Sequence, residues 1–134
     1  MESFLLDTDT IIYWIKNKYP QIGQMIEKVG SQNIFVSSIS IAELFYGAHN
    51  SEQKQKNLKL IAELVEEVNI IDFDSFAGGC FGEIKANLRS KGELINDSDL
   101  FIAAIAISND LILVTNNEKH FQRIEKLKIA NWTK

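Results

Sequence analysis

FLLDTDT, residues 4–10, is the segment of this chain that says most about its architecture. Residues 4–6 form a short apolar run typical of a buried strand, and Asp7 follows them directly. From Thr8 onward the pattern predicts a helix, with Thr8 or Asp9 as its N-cap. A strand that passes straight into a helix indicates a β-α unit, so we predict Asp7 at the carboxyl end of the first strand.

The same alternation of short apolar runs and helical patterns continues along the chain. Strands are predicted at 3–6, 33–36, 69–71, 111–114 and 127–129. Helices are predicted at 8–16, 20–29, 40–49, 52–67, 75–89, 99–108 and 117–124, with Gly30 ending the second one. Strands that alternate with helices predict an α/β fold, in which a parallel sheet carries helices on both faces. Ligands of such sheets bind beyond the carboxyl ends of the strands.

Composition narrows the class of protein. The chain has 134 residues, 46% of them hydrophobic and 24% charged, which predicts one domain spanning residues 1–134. Its one cysteine, Cys80, excludes an internal disulfide and favours a reducing, cytoplasmic setting. No signal peptide and no run of about 20 apolar residues is visible, so no membrane association is expected. The net charge of −4 argues against nucleic-acid binding by bulk positive charge.

Three acids stand where a parallel sheet would gather them. Asp7 follows the first strand, Glu43 lies within an apolar helix, and Asp99 opens another apolar helix. Each has a plainer interpretation: Asp7 as a helix cap, Glu43 facing solvent, and Asp99 complementing a helix dipole. Asn117 and His120 follow the strand at 111–114, although His120 alone is equally compatible with a surface or core-edge position.

Taken together, these acids predict a metal centre. Carboxylates crowded at one place repel each other unless a cation lies between them. Oxygen ligands without a Cys/His cluster favour Mg²⁺ or Mn²⁺ over zinc. Because such ions bind phosphate and activate water, the predicted reaction is phosphodiester hydrolysis.

Four motifs, in order, resemble those of the PIN domain, and within it the VapC-type ribonuclease toxins. They are FLLDTDT at 4–10, VSSISIAELFYGA at 36–48, INDSDLFIAA at 95–104 and VTNNEKHF at 114–121. The tail LKIANW, residues 127–132, is also similar to the family's ending. The resemblance covers essentially the whole chain. It implies a three-layer α/β/α sandwich with a central, mostly parallel sheet, and an Mg²⁺-dependent endoribonuclease.

The resemblance also assigns site residues. Asp7, Glu43 and Asp99 fall on the family's core acidic positions, so it implies that they hold Mg²⁺ or Mn²⁺ and serve catalysis. Family members often carry a fourth acid after the last long strand, where this chain has Asn117. We therefore count Asn117 among the catalytic residues, as an amide that ligates or orients a water, and Asp97 as a further metal ligand that partly compensates.

Partners follow from the same resemblance. It implies an RNA substrate, which we predict to be single-stranded or looped. The candidates for backbone contacts are Lys16, Lys18, Arg89 and Lys91, because they lie near the predicted rim of the site in sequence. The resemblance also implies a homodimer. Large aromatic residues on two apolar helices, at 11–14 and 41–46, give that dimer mild support, although they can equally belong to the core.

The resemblance further implies a cognate antitoxin. An arginine of such a partner would pair with Asp7 or Asp99 in the metal's place, since its charge has the right sign. An apolar segment beside that arginine would need a groove, for which the helices after Pro20 and after Ser51 are the candidates.

Two alternatives stay open at this point. The first is a haloacid-dehalogenase-like phosphatase, in which Asp7 would be the nucleophile and Asp9 the acid/base. The chain is short for that fold, and no strand with a Gly-Asp turn precedes Asp97 and Asp99. The second is a PIN-like binding module with a degraded site, which a retained set of three acids disfavours. A serine hydrolase is disfavoured because the chain has no Gly-x-Ser-x-Gly elbow.

Overall fold

The computed structural model describes residues 2–134, and a five-stranded parallel sheet organises them. The strands are β1 (Phe4–Leu6), β2 (Ile34–Ser37), β3 (Asn69–Ile71), β4 (Ile112–Val114) and β5 (Ile129–Ala130). The helices are α1 (Thr8–Ile15), α2 (Pro20–Val29), α3 (Ser38–His49), α4 (Lys54–Glu67), α5 (Ser75–Ser90), α6 (Asp97–Ser108) and α7 (Glu118–Phe121), with a 3₁₀ turn at Ser31–Asn33.

Side chains of β1 alternate between two hydrophobic clusters, one on each face of the sheet. Leu5 packs with residues of α5 and α6, such as Leu88 and Ile102. Phe4 and Leu6 pack on the opposite face, against residues of α1 to α4. This alternation is the two-residue period of a strand buried on both sides. The predicted three-layer α/β/α sandwich is therefore confirmed, and its central sheet is parallel throughout.

The strand order places one crevice at the middle of the sheet. The order is β3-β2-β1-β4-β5, so the chain winds outward from β1 in one direction and then crosses over to β4 on its other side. Side chains beyond the carboxyl ends of β1 and β4 therefore border the point where the winding direction reverses, which is where such sheets bind ligands. The backbone N–H of Asp7 donates to the carbonyl of Val114 at 3.0 Å, which joins the two strand ends.

Several helix starts differ from the predictions, because the capping side chain is a different residue. Asp7 itself, not Thr8 or Asp9, is the N-cap of α1 and accepts from the backbone N–H of Thr10. Helix α3 begins at Ser38 instead of residue 40, since Ser37 caps it, and Asn96 caps α6, so that Asp97 lies inside the helix. Each cap satisfies an N–H that the helix itself leaves unpaired.

The C-terminal elements are shorter than predicted. Helix α7 covers only Glu118–Phe121, and turns follow it as far as residue 126. The last strand begins at Ile129 instead of residue 127, because only Ile129 and Ala130 lie in register with Leu113 and Val114 of β4. Gly30 does end α2, as predicted, at a φ of +90° that favours glycine. No helix within residues 2–134 is long and apolar enough to cross a membrane.

Candidate active site

An open pocket of about 260 Å³ lies at the carboxyl ends of β1 and β4. All of its lining residues are polar and half of them are acidic: Asp7, Thr8, Asp9, Glu43, Asn96, Asp99, Asn117 and His120. The pocket thus brings together Asp7, Glu43, Asp99 and Asn117, which lie up to 110 positions apart in the sequence. The clustering follows from the topology, since every contributing segment leaves or approaches the same edge of the sheet.

Asp7 is the most buried acid of the pocket, with 6% of its surface exposed. Its Oδ1 accepts a 2.8 Å hydrogen bond from the backbone N–H of Thr10. Burial raises the pKa of the Asp7 carboxyl above its ordinary value, although hydrogen bonds from Thr115 and Thr10 act in the opposite direction. Asp7 is thus both the helix cap of the plainer interpretation and a lining residue of the acidic pocket.

Glu43 is held by a short chain of hydroxyl groups. Thr8 Oγ1 donates to Glu43 Oε1 at 2.7 Å, and Thr8 Oγ1 lies 2.8 Å from Ser40 Oγ. A threonine hydroxyl has one proton to donate, so Ser40 is the donor toward Thr8. Ser40 is fully buried, one helical turn before Glu43 on α3. The apolar helix therefore orients an exposed carboxylate toward the pocket.

Asp99 lies in the first turn of α6, where Asn96 engages it twice. The backbone N–H of Asp99 donates to Asn96 Oδ1 at 2.9 Å, and Asn96 Nδ2 donates to Asp99 Oδ2 at 3.0 Å. Partial burial raises the pKa of the Asp99 carboxyl, and the charges of Glu43 and Asp9 raise it further. The Asn96 hydrogen bond and the electrostatic interaction with His120 oppose this shift.

Asn117 and His120 form a side-chain pair after β4. Asn117 Nδ2 lies 2.9 Å from His120 Nδ1, and the backbone N–H of Asn117 donates to Thr115 Oγ1 at 2.9 Å. Both side chains line the acidic pocket. The amide at the position of the family's fourth acid is therefore in contact with a neighbouring imidazole.

Asp97 is not among the lining residues. Its carboxylate, with 55% of the side chain exposed, forms a 2.8 Å ion pair with Lys85 on α5. The Lys85 ammonium also lies 5.6 Å from the centre of the Phe81 ring. Asp97 is thus engaged outside the pocket by a cation of the chain itself.

The pocket is an uncompensated negative site. Asp7, Asp9, Glu43 and Asp99 line it, no Lys or Arg does, and within residues 2–134 none of the four is in an ion pair. Hard oxygen donors of this kind fit Mg²⁺ or Mn²⁺. As the side chains stand in residues 2–134, no three Asp, Glu, His or Cys are grouped closely enough to hold an ion by themselves. An ion would therefore have to complete its shell with water, as Mg²⁺ does in proteins.

Sequence reasoning missed two residues of this site, Ser40 and Asn96. Both carried a usable signal. Ser40 precedes Glu43 by three positions, which places the two side chains on one face of a helix. Asn96 precedes Asp99 by three positions at the start of an apolar helix, the spacing of a capping pair. Neither signal identifies what the side chain contacts across the pocket.

An apolar groove adjoins the acidic pocket. It is a cavity of about 270 Å³ between α1, α3 and α4, with Ile12, Ile15, Leu44 and Ile61 among its lining residues. Glu43 lines both the groove and the acidic pocket, so the two adjoin at this residue. Lys16 lies on the rim of the groove, whereas α2, the helix that begins at Pro20, contributes no lining residue.

Known proteins resemble this chain over nearly its whole length. A family model described as the PIN domain matches residues 4–127. Ribonuclease VapC2 of Haemophilus influenzae is 39% identical over 132 residues, which cover 98% of this chain and 99% of that protein. A tRNA(fMet)-specific endonuclease VapC of Shigella flexneri is 34% identical over 133 residues, which cover 99% of this chain and 100% of that protein.

A solved structure agrees with the sequence matches. It is the crystal structure of DNA-bound VapBC from Salmonella typhimurium, a chain of which has a TM-score of 0.92 at 36% identity, covering 98% of this chain and 99% of that one. These matches confirm the resemblance inferred from the motifs. The chain therefore belongs to the PIN-domain family and, within it, to the VapC ribonucleases.

Proposed function

We propose that this VapC ribonuclease hydrolyses RNA with the help of Mg²⁺ or Mn²⁺ held by Asp7 and Asp99, with Glu43 bound directly or through water. The observation that carries the proposal is the acidic pocket itself, where four carboxylates meet without a Lys or Arg among the lining residues. The PIN-domain match over residues 4–127 leaves the haloacid-dehalogenase-like phosphatase without support.

The side chains of the pocket have two roles, to bind the cation and to orient the carboxylates that bind it. When bound, the cation supplies charge neutralisation at the phosphate and a water of lowered pKa. Asp7 and Asp99 are suited to binding it, because burial makes their ionised forms costly until a positive charge is near. Thr8 and Asn96 orient Glu43 and Asp99 through the hydrogen bonds described above. Asp97 stays outside this set, held by Lys85.

The decisive experiment compares wild type with Asp7→Asn in a nuclease assay, with Mn²⁺ or Mg²⁺ and with EDTA. We expect wild type to cleave RNA only with the metal, and Asp7→Asn to be inactive although folded by circular dichroism. Asn can still accept from the N–H of Thr10, so the cap of α1 is preserved. Full activity of Asp7→Asn would overturn the assignment, and a wild-type protein that binds RNA without cleaving it would indicate the degraded binding module.

The substrate we propose is a single-stranded or looped RNA. The relative from Shigella flexneri is named for tRNA(fMet), so initiator tRNA is the first substrate to assay. Of the four basic candidates, Lys16 lines the groove that shares Glu43 with the acidic pocket. Lys18 lies over the Tyr13 ring, at 5.1 Å from its centre, and Lys91 pairs with Glu125. Mapping cleavage sites across total cellular RNA tests the proposal, and equal cleavage of duplex DNA contradicts it.

We also propose regulation by a cognate antitoxin, since the matched solved structure is of a VapBC complex. The groove between α1, α3 and α4 would bind an apolar segment of the partner, and because the groove and the acidic pocket share Glu43, an arginine beside that segment would pair with Asp7 or Asp99. Of the two helices predicted to border such a groove, only α4 does. Co-purification from the native operon, followed by an assay with excess Mg²⁺, tests this. A neighbouring gene product that neither binds nor inhibits contradicts it.

A homodimer in the cytoplasm completes the proposal. Trp14 and Phe45 are partly buried against the core, whereas Tyr46 is 73% exposed on α3. Because tyrosine is enriched at protein interfaces, Tyr46 is the residue through which we test the dimer. Sedimentation at micromolar concentration tests the dimer: a mass of 15.2 kDa, that of one chain, contradicts it, and Tyr46→Glu should shift a dimer toward that mass.

A further inference from the structure

The segment that follows β4 holds His120 in a defined place at the acidic pocket. Thr115, which is fully buried, accepts from the backbone N–H of Asn117 at 2.9 Å. On the other side, Asn131 Nδ2 donates to Asn116 Oδ1 at 3.0 Å and to Glu118 Oε2 at 3.1 Å, which ties the segment to the C-terminal tail. The Asn117–His120 pair therefore rests on a well-anchored backbone.

The contact between Asn117 and His120 selects one form of the imidazole. Asn117 presents Nδ2 to Nδ1 of His120 at 2.9 Å, and an amide nitrogen is only a donor. His120 Nδ1 must then accept, and a neutral imidazole that accepts at Nδ1 carries its proton on Nε2. Within residues 2–134, His120 Nε2 has no hydrogen-bond partner. The imidazole N–H is thus available to a ligand of the pocket.

Few other side chains of the pocket can donate to a phosphate. The hydroxyl proton of Thr8 is used by Glu43, and the amides of Asn96 and Asn117 each have one of their two N–H groups engaged, by Asp99 and by His120. The remaining ionisable side chains of the lining are carboxylates, which repel a phosphodiester. His120 is the lining residue whose single ring N–H is oriented by a neighbouring side chain and has no partner within residues 2–134.

We propose that Asn117 is a positioning residue which fixes His120 as the Nε2–H tautomer, and that His120 donates this hydrogen bond to a phosphate oxygen of the bound RNA. The inference rests on the proposed RNA cleavage at this site. It gives Asn117 a role other than metal ligation: the amide at the position of the fourth acid acts through the imidazole, and no negative charge is needed there.

A double-mutant cycle separates this role from metal ligation. His120→Ala and Asn117→Leu should each lower kcat/KM by about 10- to 100-fold, the value of a hydrogen bond to a charged group. Because Asn117 acts through His120, Asn117→Leu should cost nothing further in the His120→Ala background. The Mn²⁺ concentration for half-maximal activity should stay unchanged in both. Costs that add in full, or a raised Mn²⁺ requirement in Asn117→Leu, would make Asn117 a ligand and overturn the proposal.

The tautomer has a readout that needs no activity. The chain has two histidines, and His49 lies at the exposed end of α3, so His49→Ala both assigns the ¹⁵N spectrum of the imidazoles and serves as the matched control with wild-type activity. We expect the neutral imidazole of His120 to carry its proton on Nε2 and to leave Nδ1 unprotonated, and Asn117→Leu to remove this preference. A protonated Nδ1 in wild type overturns the proposal.

Failure of the wider function is recognisable separately. If wild type cleaves no RNA with Mn²⁺, the proposed function fails on that result alone. The phosphate contact is then tested by adding a short RNA oligonucleotide with Mg²⁺ present, where it predicts a shift of the His120 Nε2 signal but not of the His49 signal. Absence of that shift overturns the contact whether or not cleavage is observed.

Discussion

Replacing Thr8 by valine is the sharpest test of the hydroxyl chain that orients Glu43. Valine keeps the shape of threonine but removes the donor of the 2.7 Å hydrogen bond to Glu43 Oε1. Residues that orient a metal-binding carboxylate typically contribute about 10- to 100-fold in metal affinity or activity, so we expect a loss of that size with Mn²⁺.

The same substitution also leaves a buried hydrogen-bond donor without its acceptor. Ser40 is fully buried and its hydroxyl donates to Thr8 at 2.8 Å. A buried polar group left without a partner costs about 1–3 kcal/mol of the free energy of unfolding. For a chain of 134 residues this lowers the melting temperature by about 4 °C per kcal/mol. We therefore expect Thr8→Val to melt roughly 4–12 °C below wild type.

Matched variants separate the two effects. Thr8→Ser keeps the hydroxyl and should retain both activity and most of the stability. Thr8→Val combined with Ser40→Ala removes both partners, which is close to neutral for folding, so the melting temperature should recover while the activity does not. The measurements are thermal unfolding with EDTA and Mn²⁺ titrations of RNA cleavage. Wild-type activity of Thr8→Val, or recovered activity in the double variant, would refute the view that Thr8 acts on Glu43.

Three further outcomes are expected. Burial raises the pKa of the Asp7 carboxyl above its ordinary 3.8, so the folded protein loses stability as the pH rises from 3.8 through the raised value and Asp7 ionises. With EDTA present, Asp7→Asn should therefore melt above wild type at pH 7, and the two should melt alike below pH 3.8. An unchanged melting temperature at pH 7 would contradict this. Asp99→Asn should lose more cleavage activity than the roughly 10- to 100-fold expected for a residue that only orients a ligand. Asp97→Asn breaks only an exposed ion pair with Lys85 and should stay close to wild type in the same assay. Equal losses of activity would contradict the assignment of Asp99, and not Asp97, to the pocket lining. Gly30→Ala should lower the free energy of unfolding by about 1–3 kcal/mol in denaturant titrations without changing the Mn²⁺ requirement, because the φ of +90° at this position disfavours a residue with a side chain.

The architecture was predictable because each local pattern agrees with it. The run at 4–6 is apolar on both faces of the strand, as a central parallel strand requires, and the helical patterns between strands leave only parallel connections. The position of Asp7 followed from its place directly after that run. Boundaries were less accurate, because a cap such as Ser37 or Asn96 is decided by one hydrogen bond that neighbouring polar residues can equally offer in a sequence.

The sequence by itself determined the elements, their parallel arrangement and the acids that follow or open them. These features depend on the spacing of hydrophobic residues, on the polarity of their neighbours and on the residues that form turns, all of which are properties of a few consecutive positions. Only the tertiary structure decided which distant polar groups meet: that Thr8 contacts Glu43 and Ser40 across more than 30 positions, and that Lys85 pairs with Asp97. Such contacts of 2.7 to 2.8 Å depend on how α1, α3, α5 and α6 pack around the sheet, and a change of one helix position would break them without altering any local pattern.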